Sequence, residues 1–135
     1  MDLSLKGKTA LVCGSSQGIG LATAEELASL GATCILLARN EDRLKAALPM
    51  LDAANGQQHS YEIADFSDEA QVKAIAATRA ARGPVHILIN NTGGPAGGPI
   101  LDAPATSFTA AFSQHVVCNQ LLAQALVPGM ISAGY

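Results

Sequence analysis

"LVCGSSQGIG" (residues 11–20) decides how this chain folds. The run Thr9–Cys13 is almost wholly apolar, as a strand buried on both faces must be, and it stops at a glycine. From Ile19 to Leu30 the spacing turns helical, with Leu21, Ala24, Leu27 and Ala28 on one face, Glu25 and Glu26 off it, and Gly31 closing the segment. Between the two lies a turn with little side chain. Gly14 permits the tight turn, Gly18 lets the backbone approach a pyrophosphate with no Cβ in the way, and Gly20 lets the helix pack close to the strand. Free N–H groups and partial positive charge at the helix N-terminus then favour phosphate. Ser15 and Ser16 are expected to add hydroxyl donors, with Gln17 and Ile19 completing the cradle.

Working outward, "TCILLA" (33–38) reads as a second buried strand. Leu44, Leu48 and Leu51 give residues 41–54 helical spacing, which Pro49 breaks or kinks. "HSYEIAD" (59–65) is a weaker third strand. Ser67, followed by Asp68 and Glu69, starts a helix over 68–82, with the acids at the positive end of its dipole. Gly83-Pro84 ends it, "VHILIN" (85–90) is a fourth strand, and "NTGGPAGGP" (91–99) is an irregular loop. A long helix runs from about Ala105 toward Met130. Strands alternating with helices predict an α/β fold: one Rossmann-type, doubly wound parallel sheet over residues 1–135, incomplete, with about four strands and four helices. Ligands of such sheets bind beyond the C-terminal strand ends, where Gly14–Gly20 lies.

Composition narrows the functions. A formal charge of −3 argues against nucleic acid and anionic membrane as partners. "MDLSLKGKTALV" has no basic region ahead of a long apolar run, so no signal peptide is expected. Gln114, His115, Asn119, Gln120 and Gln124 interrupt the apolar C-terminal part, against a simple membrane span. Three widely spaced cysteines suit a reducing, cytoplasmic setting. His59 and His86 have no metal-ligand spacing and read as structural; Asp68 and Glu69 read as a helix cap. From Gly83 to Tyr135 the one formally charged residue is Asp102, so this half is expected to be covered by more chain or by another subunit.

The spacing Gly-x-x-x-Gly-x-Gly resembles the short-chain dehydrogenase/reductase family, whose motif is Thr-Gly-x-x-x-Gly-x-Gly; Cys13 stands in place of Thr. "NNTG" (90–93) resembles the family's Asn-Asn-Ala-Gly, and "ALVPGM" (125–130) resembles the end of its fourth core helix. In character the chain is closest to the 3-oxoacyl carrier-protein reductase-like members. By this resemblance Asp65, with Phe66 beside it, meets the adenine ring, and Asn91, Thr92 and Gly93 line the floor beneath the ribose and nicotinamide.

Arg39, with Asn40 after it, lies nineteen positions beyond Gly20, where an acid would bind the ribose hydroxyls of NAD. An arginine pairs instead with a 2′-phosphate, which predicts NADP(H) over NAD(H); the alternative is a solvated arginine at a helix start. Gln17 stands where many NADP-using members carry a second base, and Glu41 and Asp42 are close by.

The resemblance implies hydride transfer between nicotinamide and a small carbonyl or secondary alcohol, in a homo-oligomer assembled through the long helix. The family's catalytic Ser and Tyr-x-x-x-Lys are not in this chain: Tyr61 is followed four positions on by Asp65, and Tyr135 is the last residue. The expectation is therefore the cofactor-binding half of an oxidoreductase, inactive alone; a non-catalytic nucleotide-binding or regulatory module is the alternative. A methyltransferase would have no use for Arg39 or "NNTG". His115 aligns with the family Asn that helps hold a proton-relay water, with Asn119 one turn on as a replacement; otherwise His115 is a helix histidine with its hydrogen bonds met.

Overall fold

A computed structural model describes residues 2–135. Its elements run β1 (Thr9–Cys13), α1 (Gly18–Ser29), β2 (Thr33–Ala38), α2 (Glu41–Ala47), β3 (Ser60–Ile63), α3 (Glu69–Ala81), β4 (Ile87–Ile89), α4 (Ala105–Phe112) and α5 (Cys118–Ala133). A π-helical turn, Ser113–Val117, joins α4 to α5. Among the described residues the strands form one all-parallel sheet in the order β3-β2-β1-β4. This is the expected doubly wound arrangement, and the strand order reverses between β1 and β4.

Strand alternation splits the core in two. Ala10 and Val12 of β1 face α1 and α2, meeting Ala24, Ala28, Leu36 and Leu44. Leu11 and Cys13 face the other side, with Leu37, Phe66, Val72, Leu122 and Leu126. Small residues on α1 bring it close to the sheet, while bulkier leucines from α5 fill the opposite layer. Burial raises the Cys13 thiol to about 12 and the Cys34 thiol to about 11, so both stay neutral and act as small apolar groups.

Some boundaries differ from expectation. Pro49 shortens the second helix: α2 ends at Ala47 and a 3-10 turn, Leu48–Met50, follows. The cap of α3 is Asp68, whose carboxylate accepts from Gln71 N–H at 3.1 Å, while the Ser67 hydroxyl turns back to Asp65. β4 is shorter than expected, pairing with β1 over Ile87–Ile89, and its outer side has no neighbouring strand among the described residues.

Both structural histidines finish the parallel ladder. His59 Nδ1 accepts from Cys34 N–H and His86 Nδ1 from Thr9 N–H, each at 3.0 Å, so an imidazole stands where a strand carbonyl is missing.

Residues Ala105–Ala133 form one helical run of 29 residues, long and apolar enough by length and composition to cross a membrane. Its Cys118, Leu122 and Leu126 are buried against the sheet, whereas Phe108, Phe112, Val116, Val127 and Ile131 are exposed.

Candidate cofactor-binding site

A crevice of about 590 Å³ opens at the C-terminal ends of β1, β2 and β4. The glycine turn and the loop after β4 form two of its walls, at the point where strand order reverses.

The turn is built by close backbone approach. Gly14 adopts φ +59°, and a Cβ there would lie 2.6 Å from the Asn91 carbonyl oxygen. A Cβ on Gly20 would collide with the Gly14 carbonyl. Asn91 Nδ2 donates to the carbonyls of Cys13 and Gly14, both at 3.3 Å, tying this turn to the end of β4. Gly18 differs: its φ is +59° and nothing lies within 4 Å of where a Cβ would be, so its backbone faces open space. The N-cap of α1, Gln17, makes no side-chain capping bond. The first-turn N–H groups of α1 are therefore left for an anion.

Ser15 is a correction to the expected donor set. It is fully buried; its hydroxyl donates to Val12 carbonyl at 2.6 Å and accepts from Leu37 N–H at 3.1 Å. Both capacities are used in bracing β1 against β2, so Ser15 shapes the turn and offers nothing to a ligand. Ser16, Gln17, Gly18 and Ile19 do line the crevice, and Gly20 acts behind it through packing.

At the far end, Arg39 and Asn40 border the crevice. Asn40 Oδ1 accepts from Arg43 N–H at 2.9 Å, so its side chain caps α2. Sequence reading missed Arg43. Its Nη1 donates to Gln17 Oε1 at 2.7 Å, placing a second guanidinium at the same end. The signal available was its position in the first turn of a helix that begins just after Arg39. Glu41 is held by other groups, accepting from Lys45 at 3.0 Å and from the Tyr61 hydroxyl at 2.9 Å, while the Asp65 carboxylate is close enough to feel the charge of Arg39.

Asp65 and Phe66 form the side wall with Ala64 and Ser67. The N–H and hydroxyl of Ser67 both donate to Asp65 Oδ1, at 2.9 and 2.8 Å, and hold its carboxyl below the usual 3.8. A lowered folded-state value means that this contribution to stability is present above the unfolded value and is lost as pH falls through the folded one. Ser67→Ala should raise the Asp65 titration midpoint toward 3.8, read by NMR of the side-chain carboxyl. An unmoved midpoint would remove the Ser67 hydroxyl as a cause and leave the backbone N–H of residue 67, which the variant keeps.

Asn91, Thr92 and Gly93 come to the crevice together with Gly94, Pro95, Ala96 and, from the π turn, Gln114. Thr92 Oγ1 lies 2.7 Å from His115 Nδ1. His115 is not a helix histidine with its bonds met: Nε2 is buried without a partner. Asn119 donates from Nδ2 to the His115 carbonyl at 2.6 Å, and its Oδ1 is likewise buried and unpartnered.

Comparison with known proteins agrees with this geometry. A family model described as short chain dehydrogenase matches residues 8–135. Gluconate 5-dehydrogenase of Gluconobacter oxydans is 35% identical over 132 residues, covering 97% of this chain and 51% of that protein. The 3-oxoacyl acyl-carrier-protein reductase of Aquifex aeolicus is 37% identical over 94 residues, covering 69% of this chain and 38% of its own length. Among solved structures, L-sorbose reductase from Gluconobacter frateurii, complexed with NADPH and L-sorbose, matches with a TM-score of 0.88 and 36% identity, over 99% of this chain and 51% of that one. The chain thus spans about half the length of the curated relatives it matches, or less.

Proposed function

Because this chain belongs to the short chain dehydrogenase family, a family of oxidoreductases, we propose that it supplies the dinucleotide-binding half of an NADP(H)-dependent enzyme acting on a carbonyl or secondary alcohol. One observation carries the choice of cofactor: Arg39 and Arg43 both border the end of the crevice beyond β2, whereas of the two acids between them Glu41 is engaged by Lys45 and neither Glu41 nor Asp42 borders the crevice. Two guanidiniums fit a phosphomonoester and would have nothing to neutralise on a bare ribose. The NADPH held by L-sorbose reductase supports the same reading.

The residues present fit such a ligand. Ser16, Gly18 and the free N–H groups of α1 hold the pyrophosphate, Arg39 and Arg43 the 2′-phosphate, and Asp65 and Phe66 border the adenine. Asn91, Thr92 and Gly93 line the opposite end. When bound, the nicotinamide supplies or accepts the hydride. Asn91 keeps the floor rigid by fastening the glycine turn to β4. The exposed stripe Phe108, Phe112 and Val116, four residues apart on one helix, supports a homo-oligomer assembled through α4 and α5. Three buried, free thiols support a reducing cytoplasmic setting.

Fluorescence titration of the purified chain with NADPH and with NADH tests the reading. NADPH should bind about tenfold or more tightly than NADH, as loss of a charge-assisted hydrogen bond would give. Binding of neither nucleotide, or tighter binding of NADH, would overturn it.

A further inference from the structure

We propose that Thr92 is a positioning residue: its hydroxyl donates to His115 Nδ1 and so latches the Gly/Pro loop of residues 92–98 in place at the edge of the crevice. The proposal rests on the dinucleotide reading for its consequence, though not for its geometry.

The loop has almost nothing else to hold it. Among the described residues, the Thr92–His115 contact is the one hydrogen bond joining residues 92–98 to the rest of the chain. Gly93, Gly94, Gly97 and Gly98 have open space where a Cβ would be, so packing around them adds little restraint. Yet Thr92, Gly93, Gly94, Pro95 and Ala96 all border the crevice. Asn91 just before it is fastened to the glycine turn, so a tether at Thr92 fixes the direction in which the glycine-rich residues 93–98 leave β4.

The anchor is itself fixed. His115 lies in the π-helical turn between α4 and α5. Two residues earlier, the Ser113 hydroxyl donates to Glu69 Oε1 at 2.5 Å, pinning the turn to α3. On the far side of His115, the Asn119 side chain folds back onto the His115 carbonyl.

The direction of the Thr92 bond follows from the atoms left over. His115 Nε2 and Asn119 Oδ1 are both buried without partners, and the two side chains are one helical turn apart. Asn119 Oδ1 is an acceptor only, so with the proton on Nε2 the two unpartnered atoms are one donor and one acceptor. Nδ1 is then the lone-pair nitrogen, and the Thr92 hydroxyl is the donor. The reverse tautomer would leave two buried acceptors and no donor, the arrangement that buried polar groups avoid.

The test reads the latch in two ways on the full chain. In long-range proton–nitrogen correlation spectra, assigned with His115→Asn, His115 should show the Nε2–H tautomer. Thr92→Val keeps the shape and removes the donor; it should shift the ring nitrogens toward a mixture of tautomers and weaken NADPH binding about fivefold, the value of one net hydrogen bond. Thr92→Ser should restore both signals. In the background of His115→Phe, Thr92→Val should cost no further affinity, since the pair acts as a unit. An Nδ1–H tautomer, or ring signals and NADPH affinity unmoved by Thr92→Val, would overturn the proposal. If the parent chain fails to bind NADPH, the cofactor reading falls, while the ring spectra still decide the latch.

Discussion

Gly20→Ala should destabilise the chain by about 3 kcal/mol, and its urea midpoint should fall with little change in slope. The sign is the informative part. Inside a helix, replacing glycine by alanine ordinarily stabilises by about 0.5–1 kcal/mol, because glycine gives up more backbone freedom on folding. Here the new Cβ would collide with the Gly14 carbonyl and come within 2.8 Å of Asn91 Nδ2. Neither neighbour can yield cheaply. Gly14 N–H donates to the Leu37 carbonyl at 2.8 Å, and the Gly14 carbonyl accepts from Asn91. Helix α1 must therefore back away from β1, opening the glycine turn at the edge of the crevice. Gly129→Ala serves as the contrast, since a Cβ there meets only Pro84 Cα at 4.0 Å and α5 should gain the ordinary helical stabilisation. A Gly20→Ala variant as stable as the parent would remove close helix–strand approach as the reason for that glycine.

Arg39→Glu should weaken NADPH binding about a hundredfold and NADH binding only a few-fold. Charge-assisted hydrogen bonds are worth about 1.5–3 kcal/mol each, and about 1.4 kcal/mol is tenfold in affinity. Reversing the charge also sets a carboxylate against the 2′-phosphate, while a free ribose hydroxyl can donate to it. Arg43→Ala should cost NADPH less, because Arg39 remains. Both losses should shrink as salt is raised, as expected of partly exposed charges. Titration calorimetry with the two nucleotides separates these outcomes. Equal losses for NADPH and NADH would mean that the guanidiniums hold something common to both, and the choice of NADP(H) would fail.

Much of this was visible in the linear chain, for reasons that are local. Apolar runs ended by glycine become buried parallel strands wherever helices alternate with them, and residues 9–20 and 85–93 showed both features. Arg39 could be placed because its position depends only on where β2 ends. Boundaries were less secure where two local rules competed, as at Pro49, or where neighbouring residues could each cap, as Ser67 and Asp68 did.

Side-chain duties were harder to read, because they depend on what the fold brings alongside. Ser15 looked like a ligand donor and proved to be a brace, since β2 presents Leu37 N–H to it across the sheet. Arg43 is distant from Gln17 in sequence, and only the packing of α2 beside the glycine turn joins them. His115 aligned with a family asparagine, but its partner Thr92 lies 23 residues away on a different loop.

The sequence by itself determined the α/β alternation, the glycine cradle and the arginine beyond β2, because each follows from backbone conformation and spacing within a few residues. Only the tertiary structure decided which hydroxyls face the crevice, where the second guanidinium sits and what holds the loop after β4. Those depend on hydrogen bonds between segments far apart in the chain, and a polar side chain takes the partner that the packed fold puts within its reach.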